Sequence, residues 1–527
     1  MSADKTRLSE DPVQLQKIIL QQEQRIAVLE ELVRIQKIKL FGKSSEKSPD
    51  QQEMFNEAEL TDAVEQTLVA SEVDAEPEHP ASSAATTEKK PGRKPLPAEL
   101  PRIRIEHDLP ESEKHCDCGC EKTVIGEDSS EQLDIIPAKI QVIVNVRKKY
   151  ACKQCEGKIQ IADLPPQPIP KSNASAGTLA HIAVSKYQDA QPLYRQETIL
   201  NRSGIDIPRN TLASWMIKSG QLIQPLINLL DEHQLSYPIL HCDETRLQVL
   251  KEPGKDPGSQ SYMWVRVGGP PTQPVRLFNY SDSRSGEFAH TLLENFYQRH
   301  TPCYLQTDDY PGYNKISAEN SIIQLGCWAH VRRKFIDAQK TSSPTKSKQK
   351  KFTKAIKSSG KADMAISLIA KLYAIEKTIK NATAEEKYSA RQQFAKPVLE
   401  KIRTWLDKTL ASTVPKGQLG KALAYLNKNW EKLTVYIEDG RLNIDNNPAE
   451  NAIRPFVVGR KNWLFSATVP GAKSSANLYS LIETAKANGL EPYSYLKKVF
   501  TDLPKASSVE DIEQLLPWNV KAQDGVG

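Results

Sequence analysis

The sequence predicts a multidomain α/β protein: a mixed-sheet core split by a helical insertion, preceded by a coiled coil, a small zinc-binding β module and a helix-turn-helix. Three observations predict it. From Tyr237 onward, runs of strand and helix character follow one another as strand, strand, strand, helix, strand, strand. Five of the eight cysteines crowd between positions 116 and 155. Near the N terminus, apolar residues recur at steps of four and three. At 527 residues the chain is long enough for about three or four folding units.

Leu15, Ile19, Gln22, Ile26, Leu29, Val33, Gln36 and Leu40 form the heptad seam, which predicts a coiled-coil helix within 1–47. Six of these eight positions are apolar and the run is under four heptads, so the helix needs a partner, and a homo-oligomer is expected. Residues 48–88 carry eleven Asp/Glu and no Lys/Arg; the chain as a whole is +6, so the remainder sums to +17. This stretch lacks the apolar surface to offset chain entropy and predicts a disordered acidic linker over 48–91. A basic body with an acidic arm fits nucleic-acid binding. No apolar run reaches the roughly 18–20 residues of a membrane span and the opening residues are too polar for a signal peptide, so the expectation is a soluble, cytoplasmic, nucleoid-associated protein without a membrane partner.

Region 92–165 begins with alternating prolines and basic residues, which favour extended backbone. Gln141 to Val146 (QVIVNV) predicts a strand just before a C-x-x-C pair, Cys152 and Cys155. That spacing lets two thiolates reach one tetrahedral zinc, and His115, Cys116, Cys118 and Cys120 offer the other two ligands. Four protein ligands leave no site for water, so a structural Zn²⁺ is expected. Region 166–235 reads as a DNA-binding helical domain. Pro192–Arg202 has helical spacing, Ser203-Gly204 interrupts, and Pro208 opens a second helix with Arg209, Asn210 and Thr211 at its start, the arrangement of a helix-turn-helix.

The core is expected over 236–340 and 436–500. Asp243 sits mid-strand in YPILHCDETRLQVL, where a charge is unexpected; the period of two puts Glu244 on the opposite face, so one of the two faces a site. The strand CYLQT ends in Asp308-Asp309. Three antiparallel strands, a helix and further strands, with acids on the first and fourth, is the order of a ribonuclease-H-like sheet. A third acid from a later helix is expected in LNIDNNPAENAIRPF, where Glu450 is the candidate, Asp445 its rival, and a capping-box role for Glu450 the plain alternative. Gathered carboxylates repel by about 4 kcal/mol per pair at 4 Å and an effective dielectric of 20, so they require cations. Oxygen-only ligands favour two Mg²⁺ or Mn²⁺ ions, which activate a nucleophile and stabilise the leaving oxygen of a phosphodiester. Arg454, Arg460 and Lys461 follow Glu450 closely and are candidate DNA cations. Region 341–435 predicts a helical insertion, preceded by eight lysines within Lys340–Lys361, and 501–527 a C-terminal tail.

A collinear series of segments resembles the large transposase of the insertion-sequence family numbered sixty-six, a DDE-type transposase. They are Leu40-Phe41-Gly42-Lys43-Ser44-Ser45, Lys186-Tyr187-Gln188-Asp189-Ala190, His241-Cys242-Asp243-Glu244-Thr245, Gln306-Thr307-Asp308-Asp309-Tyr310, Cys327-Trp328-Ala329-His330, Asp445-Asn446-Asn447-Pro448-Ala449-Glu450 and Gly459-Arg460-Lys461-Asn462-Trp463. The resemblance implies a catalytic triad of Asp243, Asp308 and Glu450 holding divalent metal. It implies DNA cleavage and joining at the inverted-repeat ends of the element, a DNA target, and accessory proteins from the same element. Arg332 and Arg333, which follow the Cys327–His330 segment, are further candidates for DNA contact. The chain departs from the family at two points: Asp309 stands where glycine usually follows the second aspartate, and Asn451 where arginine tends to follow the glutamate. Cys327 and His330 are two ligands, insufficient alone for zinc, and are expected at a packed strand-to-helix junction.

Overall fold

Why the predicted strands pair, and where, is answered by a computed structural model that describes residues 140–150, 160–342, 360–413, 415 and 417–523. The heptad seam, the acidic linker, Cys116, Cys118, Cys120, Cys152 and Cys155, and most of the lysine tract lie outside the described residues. The described chain falls into two compact units, one within Glu72–Leu164 and one from Pro165 onward.

In the first unit, β1 (Lys149–Tyr150) pairs antiparallel with β2 (Gln160–Ile161). The strand expected over Gln141–Val146 is not formed, and pairing starts only at Lys149. Val142, Val144 and Val146 are largely exposed, so the run meets no half-buried surface among the described residues, and such a surface is what β-propensity rewards.

The second unit opens with α1 (Ala176–Tyr187), α2 (Leu193–Arg202), α3 (Arg209–Leu222) and α4 (Gln224–Leu235). The Ser175 hydroxyl caps α1 by accepting from Thr178 N at 3.1 Å. Gly204, at φ +75°, supplies the turn between α2 and α3. The Glu197 carboxylate on α2 accepts from Arg209 N at 2.9 Å, taking one of the amides that the start of α3 leaves unpaired.

The sheet follows: β3 (Ile239–Lys251), β4 (Gln260–Gly268), β5 (Val275–Ser281), α5 (Gly286–Arg299), β6 (Cys303–Gln306), α6 (Gly312–Glu319), β7 (Ile322–Leu325) and α7 (Trp328–Ser342). Its order is β5-β4-β3-β6-β7, with β3, β4 and β5 antiparallel and β6 and β7 parallel to β3. The insertion contributes α8 (Lys361–Thr378), α9 (Ala384–Ala390), α10 (Lys396–Ala411), α11 (Gln418–Lys428) and α12 (Trp430–Thr434). The chain then returns through α13 (Asn447–Trp463), β8 (Ser466–Thr468), which pairs with the far end of β3, α14 (Val469–Ala487), α15 (Pro492–Asp502), α16 (Val509–Glu513) and α17 (Pro517–Gln523).

The pleat assigns the two faces. Leu240, Cys242 and Trp264 pack with Leu293 and Phe296 of α5 and Tyr313 of α6, whereas Leu247, Met263, Val265 and Phe278 pack with Phe456 of α13 and Tyr479 of α14. Insertion helices α8, α10 and α11 share a third core with Trp328, Val331 and Phe335 of α7. The helix-turn-helix region is not set apart from the sheet. A Cβ added at Gly220 of α3 would lie 2.5 Å from the Ser474 Cβ of α14, and only glycine permits that approach. Within 501–527, read from the sequence as a tail, Leu515, Leu516 and Val520 are buried in the main core.

Candidate active site

The odd-numbered residues of β3 face α13 and the even-numbered ones face α5 and α6, so Asp243 and Glu244 enter different surroundings. In the parallel register His241 lies beside Gln306; two residues further along each chain stand Asp243, still on β3, and Asp308, just past the end of β6. Glu450 enters from the first turn of α13. Burial raises the Asp243 carboxyl well above the usual range, and the charges of Asp308, Glu244 and Glu450 raise it further. Asp243 Oδ1 accepts from Glu244 N at 2.8 Å and Asp308 Oδ1 from Tyr310 N at 3.1 Å.

Glu244 is differently provided for. Arg284 Nε and Nη2 donate to its Oε1 at 2.8 and 2.5 Å, and the Tyr313 hydroxyl to Oε2 at 3.3 Å. Burial still pushes its carboxyl up to about 7, aided by Asp308 and opposed by Arg284. Nothing in the sequence marked Arg284; it lies 40 residues from Glu244, in a loop without motif or periodicity.

Asp445 also has its oxygens engaged: Oδ2 accepts from Tyr373 OH at 2.9 Å and Asn447 Nδ2 at 2.9 Å, and Oδ1 from Asn447 N at 3.2 Å. Burial pushes its carboxyl up to about 6. The helix cap is Asn446, one residue before the Asn447 that a capping box with Glu450 at the third helical position would require. Asn446 makes no side-chain cap bond, and Glu450 forms no capping box. The Asn446 amide instead donates to Cys242 O at 2.9 Å and its Oδ1 lies 3.3 Å from His241 Nδ1, tying α13 to β3.

The ligand atoms of Cys327, His330 and Glu450 all lie within 4.8 Å of one another; the oxygens of Asp243, Asp308 and Glu450 form no such group. Glu450 Oε1 is 3.9 Å from Cys327 Sγ and 3.6 Å from His330 Nδ1. Cys327, expected at a packed junction, is there, immediately before α7, but with the third acid beside it.

Asp309 explains one departure from the resemblance. Its φ is +73°, a left-handed conformation in which glycine is unstrained and aspartate is among the better-tolerated side chains. Its carboxylate is held by Lys428 Nζ at 2.9 Å, Asn429 Nδ2 at 3.1 Å and Lys432 Nζ at 3.7 Å, anchoring the acid loop to the insertion.

Of the candidate DNA-binding residues, Asn210 and Thr211 line an open cleft of about 510 Å³ with Lys171, Trp215 and Lys218, and Arg209 is exposed beside them. Arg454 is half-buried one turn beyond Glu450, and its Nε is buried without a hydrogen-bond partner. Lys461 is exposed. Arg460 is buried; it donates to Thr245 Oγ1 at 3.1 Å, and burial pulls its guanidinium down to about 10. Arg332 and Arg333 are partly buried on α7, and burial also lowers the Arg332 guanidinium.

Fold and site together define a mixed α/β protein with a carboxylate centre at one edge of its central strands and a helical insertion beside it. Residues 171–474 match the model of the Transposase IS66 family, 480–518 the IS66 C-terminal element, 113–156 the zinc-finger binding domain of transposase IS66, and 28–105 the Transposase C of IS166 homeodomain. The chain belongs to the IS66 transposase family. The zinc-finger match spans all five clustered cysteines. Among its relatives in Sinorhizobium fredii are the uncharacterized proteins y4qI, 32% identical over 83% of this chain and 80% of that protein, and y4jD, 33% identical over 82% of each. No helix among the described residues is long and apolar enough to cross a membrane.

Proposed function

We propose that this transposase cleaves and joins DNA at the inverted-repeat ends of its element, with Asp243, Asp308 and Glu450 as the acid triad. One observation carries the reading: Asp243 is buried on β3, Asp308 stands just past the end of the neighbouring β6, and Glu450 enters from the first turn of α13, acids 65 and 207 positions away along the chain. The sheet order, with its first three strands antiparallel and the next two parallel to the first, supports a ribonuclease-H-like core.

The residues fit divalent ions. Among the described residues no Lys or Arg pairs with the three acids, while Arg284 is taken by Glu244 and Lys428 and Lys432 by Asp309. Their oxygen-only donors suit Mg²⁺ or Mn²⁺. Oxygens sharing one Mg²⁺ lie within roughly 4 Å of each other, twice the Mg–O distance of about 2.0–2.1 Å at most. Asp243, Asp308 and Glu450 would be the residues that hold such ions. Such ions supply an activated nucleophile and neutralise the leaving oxygen. The protein's part is to hold Asp243 on β3 and Asp308 just past the end of the adjacent β6, to bring Glu450 down on α13, and to offer Arg454 to a backbone phosphate. The cleft at the start of α3, with Lys171 and Lys218, serves DNA contact, and the N-terminal heptads serve self-association.

The test is strand transfer with the element's terminal DNA and Mg²⁺ or Mn²⁺, comparing wild type with Asp243→Asn. Covalently joined ends from wild type alone support the reading. Cut but unjoined ends make the protein a nuclease, and binding without cutting makes it a DNA-binding protein that has lost catalysis.

A further inference from the structure

We propose that Cys327, His330 and Glu450 form a second metal site, one for a soft divalent ion such as Zn²⁺, which competes with the hard-ion centre for the Glu450 carboxylate. The inference rests on the reading of Glu450 as the third acid and adds a regulatory ligand to it.

Thiol, imidazole and carboxylate are the three donor types that bind zinc, and here one of each converges. The separations of 3.9 and 3.6 Å from Glu450 Oε1 are close to those between ligands on a tetrahedral zinc, where bonds of about 2.0–2.3 Å place donor atoms roughly 3.5 Å apart. Cys327 and His330 stand three residues apart where the chain enters α7, the spacing of a C-x-x-H ligand pair, and Glu450 closes the set from α13. Backbone support is in place. Asn446 N donates to Cys327 Sγ at 3.3 Å, a bond that favours thiolate over thiol, and the Asn446 side chain is itself fixed on β3. Three protein ligands leave a fourth position for water. His330 is part-exposed at 20% of its side chain, which gives the ion a way in.

Entry of the ion releases the thiol proton: Cys–SH and M²⁺ give the metal thiolate and H⁺ to solvent. The oxygen-only acids Asp243 and Asp308 have no such preference for a soft ion. Glu450 engaged with Cys327 and His330 is withdrawn from the triad, which makes the soft ion an inhibitor of strand transfer.

The experiment uses the full chain with its zinc module filled and adds Co²⁺, whose thiolate charge-transfer absorption reports the sulfur ligand without any activity measurement. Wild type should gain one such Co²⁺ equivalent. Cys327→Ser should lose the absorption, and His330→Ala should weaken Co²⁺ binding by more than the roughly 10- to 100-fold that loss of an outer-shell partner costs. Should Cys327→Ser fail to fold, as judged by its melting transition, His330→Ala decides. Equal Co²⁺ binding and equal spectra in wild type and both variants overturn the site. Millimolar Mg²⁺ should lower the apparent Co²⁺ affinity of wild type several-fold. An unchanged affinity overturns the sharing of Glu450 and counts against its place in the hard-ion centre, while the thiolate site itself stands. Co²⁺ binding that persists in a protein without strand-transfer activity refutes only the catalytic reading.

Discussion

Glu483, on a helix against the sheet, and Asp243, on β3 within it, are both buried acids, and the fold treats them in opposite ways. Glu483, on α14, is 1% exposed and bracketed by Arg276 Nη1 at 3.3 Å and Lys486 Nζ at 2.8 Å. Asp243, equally enclosed, is surrounded by Asp308, Glu244 and Glu450. The chain has cations enough, since 71 of its residues are Lys or Arg, but it spends them on Glu483, Glu244 and Asp309. A structural acid is neutralised by the protein; an acid left among other acids holds its proton more tightly and, on the function proposed above, exchanges it for a bound cation. That difference separates a packing residue from a site more sharply than burial does.

The comparison breaks or sharpens in four measurements. The largest effect belongs to Asp243→Asn. Strand transfer should fall by on the order of 10³-fold or more, at or beyond the upper end of what loss of one electrostatic contact costs. Its melting temperature in EDTA should rise, because a buried repulsion is gone. A lowered melting temperature would make Asp243 a structural residue. Glu483→Gln should do the reverse, leaving Arg276 and Lys486 without a countercharge. With Arg276 partly exposed, the expected cost is roughly 1–3 kcal/mol in urea unfolding, with strand-transfer rates held in the folded fraction.

Third, Mg²⁺ at ten times its dissociation constant should stabilise the protein by about 1.4 kcal/mol at pH 7.5 and by less at pH 5. The sign follows from Asp243 and Glu244, whose folded-state carboxyls are raised, Glu244 to about 7. Between the unfolded and folded values the native state binds more protons than the unfolded one, so Glu244 lowers stability as pH rises from about 4.5 to about 7, and Asp243 acts in the same direction. At pH 5 the ion must displace protons. A shift that grows on acidification, read by thermal melts at both pH values, would count against the acid cluster as the ion's site. The smallest effect is at Asp309. Asp309→Gly relieves a left-handed backbone but severs the contacts to Lys428 and Lys432, so the two contributions should leave stability within about 1 kcal/mol of wild type. Asp309→Ala loses the contacts without full relief and should cost more, and equal denaturation midpoints for the two would remove the anchor.

The strands of the core were legible because β3, β4 and β5 are apolar-rich runs whose breaks carry Gly and Pro; the structure places them within a few residues of the sequence reading. Asp243 stood out because a charge inside an apolar strand is anomalous; Asp308 was read from a strand end and Glu450 from a later helix, with the triad itself implied by the resemblance. Less could be read where the cause lies far along the chain. α6 is eight residues of mixed polarity, too short for a periodic signal, and is fixed by Tyr313 packing under the sheet. Arg284 gains its meaning only when folding brings it to Glu244. Cys327 and His330 were visible as a pair, but the third donor came from 120 residues away. The C-terminal helices carry few apolar residues each and are held by the main core rather than by their own pattern. QVIVNV shows the converse: a strong local preference with no described partner forms no ladder.

Asn446 joins three stretches of chain: its backbone N–H reaches Cys327, and its side chain reaches His241 and Cys242. During synthesis those stretches leave the ribosome in order, and the last to emerge carries both Asn446 and Glu450. A nascent or truncated polypeptide that ends before them has Asp243 and Asp308 and no closing segment, so the proposed centre comes into being only after most of the chain has been made.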